Sequence, residues 1–310
     1  MENQGEYYRP IDILMVSTML NIDINVFSNE NNHIRFYNTI CPCNNSGNIK
    51  DNFSVSIYLQ DAHYNPMIEM KRREPIQFEA LTQEEEYTIE NQFLKSQENP
   101  NAIVVKSRST GDSLSQQSYD RLTPGEWLND EIIHFFFVLM NEKYQDTKKY
   151  HFFKSFFITK LLDEEGYSYN LVKNWSRRVK GKNIFNLDKI FFPINHNNIH
   201  WSLAVIFIPE KRIQIFDSGG NGGQRCLDGM LQYLKDEMRD KHHMEGKWNG
   251  WNLIPSYEKI PKQLNGDDCG VFTCMFAYYI AEDLSLTFDQ TDVTEFRKHI
   301  AMYILKKRIE

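Results

Sequence analysis

The 310-residue sequence has no excess of basic residues: 35 Lys and Arg stand against 42 Asp and Glu, for a net charge of −7. The electrostatic footprint of a nucleic-acid binder is therefore missing, and no DNA or RNA partner is expected. No apolar run approaches the roughly 18 residues that span a bilayer, so no membrane span is expected. The stretch from Ile11 to Leu20 lacks a basic flank and contains Asp12, which speaks against a secretory signal. Cysteine is sparse, five residues without paired spacing, and this suits a reducing compartment. No internal repeat is present. These absences leave an intracellular globular protein as the starting expectation.

What is present supports a packed core. Apolar residues make up 41% and charged residues 25%, both ordinary for a folded domain, and 21 Phe, 16 Tyr and 5 Trp supply large side chains. Composition changes along the chain. The first 50 residues hold ten Asn with apolar residues scattered between them, and Val55–Leu59 alternates as a strand does. Residues 1–74 read as a separate region without an assignable role, and 75–310 as the second domain. Lys71-Arg72-Arg73 is either a solvated turn before Pro75 or an import patch. Past Pro75 the pattern tightens. Leu81–Leu94 has helical spacing at Tyr87, Ile89 and Phe93, whereas Asn99-Pro100 and the Ser/Thr/Gln run Ser107–Ser118 read as surface loops. Trp127–Met140 reads as an apolar helix capped by Asn129 or Asp130. Trp201–Ile208 is apolar nearly throughout, as in a strand buried on both faces. A polar turn, Pro209–Arg212, leads to a second strand, Ile213–Phe216, making an antiparallel hairpin. Gly270–Leu284 reads as a buried helix and Thr294–Arg308 as an amphipathic one. Strands among helices without strict alternation imply an α+β fold.

The chemistry concentrates near the ends of that hairpin. His200 and Asp217 flank it, and their odd separation puts both on one face of any regular hairpin with an even-numbered loop. That is the geometry of an imidazole with an orienting carboxylate. Taken singly, each also has an ordinary role, the histidine at a strand edge and the aspartate in a turn. Cys269 follows a polar loop, Gln263-Leu-Asn-Gly-Asp-Asp, and opens an apolar helix. A helix N-terminus favours a thiolate, and a nearby His200 supplies a base. The alternative is a buried inert thiol, of which Cys274 is the example. The backbone N–H of Cys269 and the amide of Gln263 form a candidate oxyanion site. Trp127 and Trp201 are either core residues or the walls of a slot that admits only glycine, the residue without a Cβ. Cys41-Pro-Cys43 lacks a second ligand pair for zinc, His242-His243 lies in a charged stretch, and Asn221-Gly222-Gly223 lacks the helix context of a phosphate cradle.

Four blocks, Trp127-Leu-Asn-Asp130-Glu-Ile-Ile133, His200-Trp201-Ser-Leu-Ala-Val205, Phe216-Asp217-Ser218 and Gln263-Leu-Asn-Gly-Asp-Asp-Cys269-Gly270, resemble in order the signatures of the SUMO/sentrin-specific proteases, in the ubiquitin-like-protease family of cysteine peptidases. The resemblance covers about Pro75 to Glu310. It implies an α+β papain-like cysteine-protease fold with a central mixed sheet flanked by helices. It also implies a His200–Asp217–Cys269 triad, with Gln263 as oxyanion helper. Trp127 and Trp201 would clamp the diglycine tail of SUMO or a related ubiquitin-like modifier, and Asp130 would pair with an arginine on SUMO. The reaction would mature a SUMO precursor or free SUMO from conjugated lysines, without metal or organic cofactor. The chain would act as a monomer in the nucleus or at the nuclear envelope, with the cytoplasm as the alternative. Ser202 departs from the family, which often has Cys there. The rival readings are a protease for another modifier and an acyltransferase on the same fold.

Overall fold

The computed structural model describes residues 80–309, apart from 96–98, 221 and 257–259, and the backbone of four strands between Asp23 and Pro66. The basic cluster Lys71–Arg73 and the Cys41–Cys43 pair lie outside the described residues. The chain divides into two compact units, 1–77 and 78–310. The first contains β1 (Asp23–Glu30), β2 (His33–Ile40), β3 (Ser54–Gln60) and β4 (His63–Pro66), in the order β2-β1-β3-β4. Strands β1 and β3 run parallel, and the other two pairs are antiparallel.

The second unit opens with α1 (Gln83–Leu94), whose start carries a capping box formed by Thr82 and Glu85. Next come the hairpin strands β5 (Ile103–Lys106) and β6 (Ser113–Ser115), and the short helix α2 (Gln116–Tyr119). The first half of the Ser107–Ser118 run is the surface turn expected, with residues 108–111 exposed, but from Ser113 onward it is strand and helix. Leu114, Gln116 and Ser118 are buried, because the polar side chains satisfy one another: Gln116 bonds the Gln92 carbonyl at 3.0 Å and Asp120 at 2.7 Å.

Helix α3 (Asp130–Tyr144) starts three residues later than the hydrophobic pattern suggests, because Asn129 caps it by accepting from the Ile132 N–H. Trp127 and Leu128 thus sit in the segment before the helix. Strand β7 (Tyr150–Phe152), helix α4 (Phe156–Leu161) and the small strands β8 (Leu162–Asp163) and β9 (Gly166–Tyr167) follow. The centre is built from β10 (Lys189–His196), β11 (His200–Phe207) and β12 (Arg212–Phe216). After α5 (Gln224–His242) comes β13 (Asn252–Ile254), and then α6 (Cys269–Ala281) and α7 (Val293–Lys306). The sheet order is β13-β12-β11-β10-β7. It is mixed, with β10, β11 and β12 antiparallel and the two edge strands parallel to their neighbours.

Strand β11 shows why the sheet lies in the middle. Trp201, Leu203, Val205 and Phe207 join a core with α3, α6 and α7, while Ala204 and Ile206 join a second core with α4 and α5. With both faces covered, alternation gives way to a continuous apolar run. Every residue of α6 is buried, as expected for a helix that is apolar on all sides.

Candidate active site

Strand β11 begins at His200, and Asp217 directly follows β12. The register pairs Leu203 with Phe216, so Asp217 stands across from Ser202, the residue two positions from His200 on the same face. The expectation from their odd separation holds. His200 Nε2 lies 2.7 Å from Asp217 Oδ1. That contact leaves Nδ1 as the ring's second nitrogen, and Cys269 is the other side chain whose interaction with the ring favours its protonated form. The imidazole therefore stands between a carboxylate and a thiol. The pair grows from the end of the sheet, whereas Cys269 arrives on a helix packed against one face, so the three meet at the sheet's rim.

The electrostatics follow from this placement. Hydrogen bonds to Asp217 and then to Cys269 push His200 up to about 9, so the ring is a cation at neutral pH. Asp217 is fully buried. Burial raises its carboxyl, but the bonds from His200 and the Gly219 N–H, the latter at 2.7 Å, hold it below the usual carboxylate range. Gly219 leaves little room for a side chain. A Cβ there would stand 3.1 Å from His200 Cε1 and 3.2 Å from Asp217 Oδ1.

Asp217 is further held by residues the sequence did not single out. The Ser256 hydroxyl accepts from the Asp217 N–H at 3.1 Å and donates to its carbonyl at 3.2 Å, and Lys262 Nζ donates to that carbonyl at 3.0 Å. Gln263 is tied to the same corner. Its Oε1 accepts from the Ser218 hydroxyl at 2.6 Å, and its Nε2 donates to the Asn265 carbonyl at 2.7 Å. An amide carries two N–H donors, so one remains for another acceptor.

The two tryptophans differ in setting. Trp201 is buried and its indole N–H donates to the Leu128 carbonyl at 2.9 Å, while Trp127 is 43% exposed. Leu128 links both to the thiol: a Cβ at Gly270 would lie 2.8 Å from Leu128 Cβ, so only glycine lets the start of α6 press against this residue. Among the described residues the two indoles make no ring contact with each other. Asp130 occupies the first turn of α3. No group of His, Cys, Asp and Glu suited to hold a metal occurs among the described residues. A cavity of about 1070 Å³ lies by the β7 edge, lined by Asp112, His134, His151, Lys154 and Arg178 among others, and includes none of the site residues.

The residues Asp268 and Arg297 were also missed. Asp268 precedes Cys269 and is bonded by Arg297, which is 2% exposed. A signal existed. Arg297 lies three, four and seven positions before Ile300, Ala301 and Ile304, on the core-facing stripe of α7, where a charge requires a buried partner.

The chain is similar to proteins of a known family. The model of the Ulp1 protease family, C-terminal catalytic domain, matches residues 126–309. Ubiquitin-like-specific protease 1A of Arabidopsis thaliana is 35% identical over 249 residues, 78% of this chain and 48% of that protein. The chain thus spans about half the length of that relative. Sentrin-specific protease 2 of Homo sapiens is 39% identical over 188 residues, covering 59% of this chain and 30% of the relative. The X-ray structure of the C-terminal Ulp1 protease domain in complex with Smt3, the yeast orthologue of SUMO, superposes with a TM-score of 0.65 at 30% identity. That match covers 76% of this chain and all of the other. The α+β fold with its central mixed sheet is that of this domain. No described helix is long and apolar enough to cross a membrane.

Proposed function

The chain belongs to the Ulp1 protease family, and from that premise we propose that it is a cysteine protease that cuts after the C-terminal Gly-Gly of SUMO. The observation that carries the reading is the His200 ring held between Asp217 and Cys269. In this reading the Cys269 sulfur attacks the carbonyl carbon of the terminal glycine. The helix N–H groups and the free N–H of Gln263 receive the oxyanion. His200 gives its proton to the departing amine, which is a lysine side chain or the next residue's nitrogen, and a thioester remains. Water, deprotonated by His200, then releases the modifier and restores the thiol.

Asp217 fixes the ring with Nδ1 toward the sulfur and supports its charge. Trp127 and Trp201 form the glycine-selective passage, and Asp130 meets an arginine of the modifier. SUMO is favoured over other ubiquitin-like modifiers by the relatives, one named for sentrin and one bound to Smt3. Residues 75–310 are the catalytic domain in this reading, and 1–74 a separate region. The protein acts as a monomer, without a nucleic-acid partner, in the nucleus or at the nuclear envelope.

The test is a SUMO probe with an electrophile at its terminal glycine, run beside probes of other modifiers. A covalent adduct at Cys269 and its loss in Cys269→Ser support the reading. Preferential labelling by another modifier overturns the substrate, and full turnover by Cys269→Ser overturns the nucleophile.

A further inference from the structure

Asp268 stands where a helix expects its cap. Aspartate at this position ordinarily turns its carboxylate onto the first N–H groups of its own helix. Here it does not: α6 has no side-chain cap. Both carboxylate oxygens are engaged elsewhere. Oδ1 accepts from Arg297 Nε at 3.1 Å and Nη2 at 2.5 Å, and Oδ2 accepts from Asn265 at 2.6 Å and Gln290 at 2.7 Å. Burial favours the protonated acid, yet these donors hold Asp268 below the usual carboxylate range.

Arg297 reaches further. Nη1 donates to the carbonyls of Arg121 and Thr123 at 3.1 and 3.2 Å, and Nη2 to that of Glu126 at 2.8 Å. One buried guanidinium thus joins the residue before the thiol to the segment that ends at Trp127. A planar fork with several fixed donors can hold three carbonyls and a carboxylate together, which a lysine ammonium cannot.

We propose that Arg297 is a positioning residue for the reaction read above: it draws the Asp268 carboxylate away from the start of α6, so that those N–H groups stay open to an oxyanion, and it fixes the Trp127 segment to the same helix end. Without it, the carboxylate swings onto the N–H groups of its own helix. The site then presents a negative charge where the transition state builds one.

The proposal rests on the protease reading, and its test separates the two. Three variants are compared with wild type: Arg297→Gln, Asp268→Ala and the double variant, each checked for folding by circular dichroism. Arg297→Gln is expected to lower kcat about 100-fold, the scale of losing an oxyanion donor. Asp268→Ala, which cannot cap, is expected to lose less, and in the double variant kcat recovers to within about tenfold of wild type. A purely structural strut gives the opposite ordering, with the double variant no better than Arg297→Gln, and that result overturns the proposal. If Arg297→Gln does not fold, Arg297→Lys replaces it, with the same recovery expected on adding Asp268→Ala.

A second readout needs no substrate. The rate ratio of Cys269 alkylation by iodoacetate, an anion, to that by neutral iodoacetamide reports charge at the helix start. It falls in the Arg297 variant and returns in the double variant. An unchanged ratio overturns the proposal, whereas a changed ratio in a protein that leaves SUMO intact overturns only the substrate reading.

Discussion

The two faces of the central sheet are packed in different ways. On the α5 face, order comes mostly from apolar surface and stacked rings, with one polar tie from the Tyr169 hydroxyl to buried Glu237 at its margin: Phe153 lies on Phe192 at 4.9 Å, and Phe157 meets Tyr233 edge-on at 5.0 Å. The α6 face has an apolar core of the same kind, but buried polar ties cross it, from Asp268 to Arg297 and from Trp201 to Leu128. Packing fixes volume and tolerates small slides, whereas a buried hydrogen bond fixes direction and is costly to leave unmade. The face that carries the thiol is therefore the one whose geometry is specified by angle. Substitutions on this face should cost activity beyond their effect on stability, and those on the α5 face should cost stability alone.

The largest expected effect is at the rim where the faces meet. Asp217→Asn keeps the shape of the side chain but removes the charge that raises His200, the first of the causes holding that ring near 9. In the proposed mechanism the ring must be protonated to release the amine, so wild-type turnover is expected to be lost as pH rises through about 9. With the carboxylate gone, that alkaline limb moves down toward the ordinary histidine value of 6.5. Turnover at neutral pH falls by roughly 10⁴, the scale seen when a triad carboxylate is neutralised. A pH series of kcat with a C-terminal SUMO substrate reads both. An alkaline limb that stays in place breaks the link between Asp217 and the ring.

That link was legible in the sequence because it depends on strand parity. His200 and Asp217 flank two unmistakable apolar strands, and an odd separation with an even-numbered loop puts them on one face. Cys269 was legible as the junction of a polar loop and an apolar helix. The helix over 130–144 was placed early because apolar periodicity runs on through Trp127 and Leu128, and only the Asn129 cap marks the true start. What stayed hidden are contacts between segments far apart in the chain. Ser256 holding Asp217, and Arg297 reaching Arg121, Thr123 and Glu126, connect residues 39 and more than 170 positions apart. Local pattern carries no information on such pairs. A buried charge on the α7 stripe announces that a partner exists, not which one.

A smaller effect is expected within the α6 face. Glycine to alanine inside a helix ordinarily gains about 1 kcal/mol. At Gly270 the added carbon would meet Leu128 Cβ at 2.8 Å, an atom fixed to the main chain. The Leu128 backbone must move, and with it the carbonyl that anchors Trp201 and the neighbouring Trp127. Overpacking of this sort costs about 1–3 kcal/mol. A displacement near 1 Å at a reacting site costs up to about 100-fold in rate. Gly270→Ala is therefore expected to lower kcat/KM by about 10- to 100-fold in a protein that still unfolds cooperatively in urea. Wild-type kcat/KM in this variant breaks the claim that the α6 face is specified by angle.

The smallest effect sharpens the comparison from the other side. Gly229 lies within α5, and a Cβ there would come even closer to a neighbour, 2.6 Å from Leu162 Cδ2 and 2.9 Å from Cδ1. Distance alone ranks it as the worse clash. The atoms met, however, are the free end of a leucine, which can change rotamer without moving any backbone, and Leu162 is only partly buried. The helix gain of about 1 kcal/mol then offsets most of the repacking cost. Gly229→Ala is expected to change unfolding free energy by less than about 1 kcal/mol and to leave kcat/KM within about twofold of wild type, as for sites with no shared partners. Urea titration and steady-state assay of the two glycine variants side by side decide the matter. If Gly229→Ala loses activity as Gly270→Ala does, the faces are coupled through the sheet, and the division between volume-packed and angle-specified halves fails.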